Sequence, residues 1–314
     1  MTLVIANTQE QITARPVQSE ADWWRVRDLL IETYPITPPD LNWEIRRWEG
    51  WRFYGEDRIK QARWTQETCL WETAGGKLVG AVHPEYRGDA FLELHPDYRH
   101  IEEDMIAWAE EHLALPNDGG QQELEVFVYE YNTPRQRLLE RRGYEKLAAG
   151  GVIRHMRFGN KVLPEVNLAK GYTLRTMDPH DPAVCQALAD LLNAAFNRDF
   201  HTPDEFHLFG TQAPSFREDL HLAAYAPDGT MACHVGVIFE ETNRYGLFEP
   251  VCTHPDHVRK GLARALMFEG LHRLKALGAT DVYVGTGDQV AANKLYEAIG
   301  FTETYKGYTW RKVW

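Results

Sequence analysis

Two hydrophobic periods alternate along this 314-residue chain, and together they lay out one series of elements twice. In the first half, ITARPV (12–17) alternates and predicts a strand after a loose tail at 1–11. Residues 20–34 set Trp24, Val26, Leu29 and Leu30 at helical spacing, and YPITPPD then breaks the helix. Residues 42–62 resume helical character, crowded with Trp43, Trp48, Trp51, Phe53 and Tyr54. The stretch 68–96 predicts antiparallel strands, with Ala74-Gly75-Gly76 as a hairpin turn. An amphipathic helix (101–115), an alternating strand (123–131), a short helix (135–142) and a last strand (151–158) follow.

After a connector at 159–170 the order recurs. A strand (172–177) precedes helices at 183–196 and 204–210. Two strands flank the turn Pro227-Asp228-Gly229, and LFEPVCT (247–253) is the next strand. Helix 261–278 turns Leu266, Met267, Leu271, Leu274 and Leu277 inward. A strand (281–287), a helix (291–299) and a final strand (302–313) close the chain. Matching residues support a duplication: His95-Pro96-Asp97 recurs as His254-Pro255-Asp256, and Gly143-Tyr144 as Gly300-Phe301. The pattern reads as α/β, with a mixed, mostly antiparallel sheet flanked by helices in each half.

Charge and cysteines narrow the function class. The net charge is −12, and residues 1–160 hold 27 Asp plus Glu against 19 Lys plus Arg. That surface disfavours nucleic acid and tolerates a cationic substrate such as an amine, although solubility alone also accounts for it. Cys69, Cys185, Cys233 and Cys252 form no CxxC pair, so buried, reduced thiols and a cytoplasmic protein are expected. No Cys/His cluster has metal-ligand spacing, so no metal is expected. No apolar run approaches the roughly 20 residues that span a membrane. Eight of the ten tryptophans precede residue 110. Interleaved with arginine they could bind an aromatic or sugar-like group, but filling a core or a domain interface is the commoner use.

Candidate chemistry concentrates in LFEPVCTHPDHVRKGLARAL (247–266) and the helix around Tyr296. An apolar strand runs into a polar, basic loop, and Gly261 opens a helix. Such a loop presents unpaired N–H groups where the helix dipole is positive, beside Arg259, Lys260 and Arg264. That is a site for phosphate oxygens. A phosphate cradle followed by a phenol suggests chemistry on a phosphorylated cofactor.

On these motifs the second half, over nearly all of 171–314, resembles the GNAT superfamily of N-acetyltransferases. There a loop of pattern Gln/Arg-x-x-Gly-x-Gly/Ala binds the pyrophosphate of acetyl-CoA. Here it falls on Val258-Arg259-Lys260-Gly261-Leu262-Ala263, with Val258 departing from the pattern. A second signature, Asn-x-x-Ala-x-x-Leu-Tyr-x-x-x-Gly-Phe, falls on Gln289, Ala292, Leu295-Tyr296 and Gly300-Phe301. Gln289 replaces its first residue, and Asn293 is the candidate for the lost amide contact.

The resemblance implies two tandem GNAT-like domains, of the mycothiol synthase type. Residues 12–158 would be a degenerate domain, 159–170 a linker and 171–314 the catalytic domain. The first half has Tyr98-Arg99-His100-Ile101-Glu102-Glu103-Asp104 in place of the cradle, where three carboxylates would repel a pyrophosphate. Leu139 stands at the tyrosine position. The implied reaction is acetyl transfer from acetyl-CoA to the primary amine of a small molecule, at one site per chain.

Tyr296 is the candidate acid for the leaving thiolate, and Glu249 the candidate base. Backbone N–H groups of Val251, Cys252 and Thr253 are the candidate oxyanion donors. His234 and His254 are lesser candidates for the base, His254 being better suited to shaping its turn. Residues 42–64 and 204–210 are candidate substrate walls, and a monomer, as an internal pseudo-dimer, is expected. The alternatives are a non-catalytic acyl-CoA sensor or scaffold, and a protein or peptide N-acetyltransferase.

Overall fold

A computed structural model of the chain describes residues 11–39, 41–54, 64–287 and 289–314. The first half runs β1 (Ile12–Pro16), α1 (Glu20–Thr33), α2 (Ile45–Phe53), α3 (Trp64–Glu67), β2 (Cys69–Thr73), β3 (Leu78–His83), β4 (Asp89–Leu94), α4 (Glu102–His112), β5 (Leu115–Pro116), β6 (Gln122–Tyr129), α5 (Thr133–Arg141) and β7 (Glu145–Arg157). The second half runs β8 (Thr173–Thr176), α6 (Pro182–Phe196), α7 (Pro203–Gln212), β9 (Leu222–Tyr225), β10 (Met231–Glu240), β11 (Tyr245–Thr253), α8 (Leu262–Leu277), β12 (Asp281–Thr286), α9 (Val290–Ile299) and β13 (Glu303–Val313).

Local chemistry sets the ends of these elements. Asp181 caps α6 by accepting the Ala183 N–H, with Pro182 in the first turn. Glu44 does the same for α2, accepting from Arg46 N and Arg47 N. On α1, Val26, Leu29 and Leu30 face the core as expected, but it is Trp23, fully buried, that joins them, while Trp24 stays 37% exposed. The helix expected over 42–62 is seen as α2; residues 55–63 lie outside the described part.

All the strands join one sheet, in the order β1-β2-β3-β4-β6-β13-β7-β12-β11-β10-β9-β8, with β5 beside β6. The order shows an exchange that the hydrophobic pattern did not reveal. β7, from the first half, lies beside β12 of the second, while β13, the last strand of the chain, lies beside β6 of the first. β7 and β13 also pair with each other. That pairing explains why β7 begins at Glu145 rather than near 151: its early residues find a partner in β13.

Helices cover both faces. α8 and α9 pack on one face of the second half over Val235, Val237, Phe248 and Val284. α4 and α5 do the same in the first half, over Val82, Leu92, Leu94 and Val126. Between the halves, Trp23, Trp43, Trp48, Trp51 and Trp64 pack with Phe209, Tyr245, Leu247 and Tyr283. These five tryptophans are thus an interface core, the second of the two uses expected, while Trp71 and Trp108 pack in the core of the first half. All four cysteines are buried and unpaired. Among the described residues no helix is long and apolar enough to cross a membrane, and no cluster of His, Cys, Asp and Glu could hold a metal ion.

Candidate active site

β11 and β12 run parallel and pair from Tyr245/Asp281 to Phe248/Val284. Beyond Phe248 their partners differ: β11 continues along β10 to Thr253, and β12 continues along β7 to Thr286. A gap opens between them. The ladder itself says which N–H groups face that gap. The His254 N–H donates to the Ala232 carbonyl at 2.9 Å. Bonded positions alternate in an antiparallel pair, so the Cys252 N–H also points at β10. The N–H groups of Val251 and Thr253 point the other way, into the gap. Of the three candidate donors, two therefore face the gap. Cys252 instead buries its thiol among α6 side chains, and burial pushes that thiol well above its ordinary value.

A β-bulge lies at the edge of the gap. Glu249 and Pro250 together oppose the single residue Gly236, where the β10–β11 register shifts. The bulge re-aims Glu249 toward α2. There its carboxylate is half exposed and pairs with Arg46 Nη1 at 2.9 Å. Arg46 comes from the first half, and its side chain is only 12% exposed. Its guanidinium lies over the rings of Tyr54 and Phe209, 5.3 and 5.9 Å from their centroids. Burial opposes the Arg46 charge, but Glu249, Tyr54 and Glu44 outweigh it and hold the guanidinium above its ordinary value.

Tyr296 reaches the same region from α9. It is 5% exposed and belongs to the core under α8 and α9. Burial, with the charge of Glu249 adding to it, pushes its hydroxyl up to about 12.

The cradle follows directly after β11. His254 caps the turn at Pro255–His257 by accepting the Asp256 N–H on Nδ1. His95 does the same for Asp97 in the first half, so the repeated His-Pro-Asp is a capped turn. Val258 is exposed and extended. Arg259 and Gly261 both adopt left-handed conformations, at φ 62° and 74°. Gly261 sits at the N-cap of α8, and no side chain caps the helix. The N–H groups of Leu262, Ala263 and Arg264 in the first turn are left without a capping side chain.

Of the cations, Arg259 and Lys260 are exposed, and Lys260 Nζ donates to the Tyr172 hydroxyl at 3.0 Å. Arg264 folds back over Phe268. The arrangement suits a pyrophosphate: uncapped N–H donors, a positive helix end and exposed cations.

Two other expected cofactor contacts are engaged within the protein. Gln289 Oε1 accepts from the Thr286 hydroxyl and the Gly287 N–H. Asn293 donates to the carbonyls of Gly287 and Gln289 and accepts from Arg154 Nε at 2.8 Å. They shape the β12–α9 loop and tie it to the exchanged strand β7.

The first half offers a comparison inside the same molecule. Leu94 stands just before His95 as Thr253 stands before His254. Its N–H, which would face the matching gap, donates to Asn42 Oδ1 at 2.8 Å, and Asn42 Nδ2 donates back to the Leu94 carbonyl. At the start of α4, Glu102 is buried and paired with Arg135 at 2.5 Å and Arg99 at 3.0 Å. Those arginines outweigh the effect of burial and hold the Glu102 carboxyl below its ordinary range. Leu139 is fully buried. Gap, cradle and phenol are all taken up by the protein's own side chains.

Residues 185–301 match the model of the acetyltransferase (GNAT) family. The similarity to a GNAT acetyltransferase domain thus lies within the second half. Solved structures extend the likeness of fold to the whole chain. A tandem GNAT protein from the clavulanic acid biosynthesis pathway matches over 96% of this chain and 98% of its own, with 16% identity and a TM-score of 0.67. A GCN5-related N-acetyltransferase from Sphaerobacter thermophilus covers 96% and 95%, at 19% identity and 0.65. A GNAT-family acetyltransferase from Colwellia psychrerythraea covers 96% and 100%, at 14% identity and 0.62. No curated protein matches by sequence. The GNAT family implies acyl transfer from an acyl-CoA to an acceptor.

Within this GNAT fold, Arg46 is the site residue that sequence reasoning missed. It lies 203 positions before Glu249, in a tryptophan-rich helix of the half without a cradle, and no spacing links the two. His234 lies on β10, 1% exposed, stacked on His221 and donating from Nδ1 to the Leu222 carbonyl. Burial lowers it to about 4, so it is neutral near pH 7.

Proposed function

We propose that the second half transfers an acetyl group from acetyl-CoA to the primary amine of a small molecule, and that the first half does no chemistry. The observation that carries this reading is the gap beyond Phe248. Two backbone N–H groups aim into it, with Glu249 and Tyr296 beside it and the uncapped α8 adjoining it.

Acetyl-CoA would supply the activated acyl group and a sulfur leaving group. N–H groups of the 258–264 loop, with Arg259 and Lys260, would hold its pyrophosphate. Val251 and Thr253 would donate to the acyl oxygen as it gains charge. Glu249 would take the proton of the amine. Tyr296 serves the departing sulfur. At about 12 its phenol is a weaker acid than a free thiol near ~8.5. Its contribution is therefore a hydrogen bond to the developing thiolate more than full ionisation. The first half supports the second through the exchanged strand and the tryptophan interface.

Calorimetric titration with acetyl-CoA should give one site per chain; no binding would refute the reading. Tyr296→Phe should lower the rate of thiol release over an amine panel by about 10- to 100-fold, the worth of one hydrogen bond to a charged group. An unchanged rate would leave acyl-CoA binding without the assigned chemistry.

A further inference from the structure

Resting on that reading, the geometry points to an acceptor that carries a carboxylate next to its amine: an amino acid or a close analogue. The Arg46–Glu249 pair is the reason. For Glu249 to take a proton from an amine, its carboxylate must face the ammonium and give up some or all of its contact with Arg46 Nη1 at 2.9 Å. Glu249 can turn toward solvent, since its side chain is 48% exposed. Arg46 cannot, being 12% exposed and held over Tyr54 and Phe209. Its Nη2 also donates to the Tyr54 hydroxyl at 3.4 Å.

A buried guanidinium that loses its carboxylate is strongly destabilising. Glu44 does not readily replace Glu249, because its two oxygens cap α2 through Arg46 N and Arg47 N. A carboxylate brought by the acceptor removes the problem. The ammonium goes to Glu249 and the carboxylate to Arg46, so one ion pair becomes two. A guanidinium also matches a carboxylate in shape, through two parallel N–H donors.

The transfer then balances. One ammonium proton passes to Glu249. The N–C bond forms and the C–S bond breaks, and a second proton goes to the departing sulfur, which Tyr296 hydrogen-bonds. The first half, inert in chemistry, would thus supply the specificity residue for the second.

The test compares matched acceptors on the full chain with saturating acetyl-CoA, following thiol release. Each set contains an α-, β- or γ-amino acid, its carboxamide and the amine lacking the carboxyl. The amino acid is expected to exceed both partners in kcat/KM by about 10- to 100-fold. Arg46→Gln should bring that ratio close to one, and Arg46→Lys, which keeps the charge but not the paired donors, should keep only part of it. The ratio is taken on a single preparation, so a partly unfolded variant does not distort it. A plain amine turned over as well as its amino acid would overturn the proposal. So would acetyl-CoA binding with no amino acid accepted, an outcome that spares the broader reading. Absence of acetyl-CoA binding would instead refute the broader reading, and this inference with it.

Discussion

A Cβ added at Gly236 would stand 2.5 Å from the Glu249 carbonyl oxygen, and 3.1 Å from Glu249 C and Pro250 Cδ. Ordinary contact begins at 3.4 Å. Gly236→Ala must therefore push the bulge back by about 0.9 Å, and the obstructing atoms are backbone, not the end of a flexible side chain. The strand that moves carries Glu249 together with the N–H groups of Val251 and Thr253, while Tyr296 sits on another element. A displacement of about 1 Å costs on the order of 100-fold in rate. Forcing a methyl into closed packing costs about 1–3 kcal/mol. We expect kcat/KM for thiol release to fall by roughly 100-fold. The acetyl-CoA Kd, set by residues 258–264, should change little. The assay is thiol release with calorimetric binding on the same sample, and a melting curve confirms that the variant is folded. A folded Gly236→Ala protein with wild-type kcat/KM would refute the claim that the bulge sets the site.

Other perturbations reach other parts of the argument. Reversing charge at Arg259 and Lys260 together should raise the acetyl-CoA Kd by roughly tenfold or more, less at high salt; unchanged affinity would mean the cofactor lies elsewhere. Glu102→Ala leaves Arg135, 3% exposed, without its carboxylate. It should cost about 3–5 kcal/mol in urea unfolding while acetyl-CoA affinity stays the same; a loss below about 1 kcal/mol would show that the pair does not hold the dismantled cradle. Burial lowers His234 from 6.5 to about 4, and His221 also falls well below its ordinary value. A depressed folded value favours the neutral ring, so this stability is complete above about pH 6.5 and is lost as pH falls through about 4. His234 alone accounts for about 3 kcal/mol on this basis. His234→Phe should flatten the acid limb of a urea-midpoint profile, and an identical limb would refute the assignment.

The sequence was most legible where one residue type has one physical use. Gly261 marked the start of a helix, where the structure has a left-handed N-cap, and His254 suited its turn, which it caps. Glu102 marked a helix start already occupied by a carboxylate. The legible part ends where function depends on contacts between distant segments. β7 and β13 each alternate well enough to be strands, but alternation does not choose a neighbour, so the exchange was invisible. Arg46 looked like one of several arginines among tryptophans, and only the packing of α2 against α7 brings it to Glu249. At Asn293 the motif position implied a cofactor contact, whereas in the structure its amide bonds Gly287, Gln289 and Arg154.

That last contact bears on why the half without a cradle is kept. Arg154 and His155 sit on β7, at the edge of β12 that faces away from the gap. Arg154 holds Asn293 of α9 and also the Phe301 carbonyl, and α9 is the helix that carries Tyr296. His155 bridges Asp281 of β12 and Glu303 of β13 at 2.8 and 3.0 Å, stacked on Tyr283. One wall of the gap, β12, therefore gains its outer partner from the first half, and the helix bearing the phenol is anchored there as well. Arg46 comes from that half too and pairs with Glu249 on the opposite wall. None of these contacts requires a phosphate cradle in the first half. The geometry of the second site therefore depends on the fold of the first half, and the exchanged strands tie the two halves into one sheet.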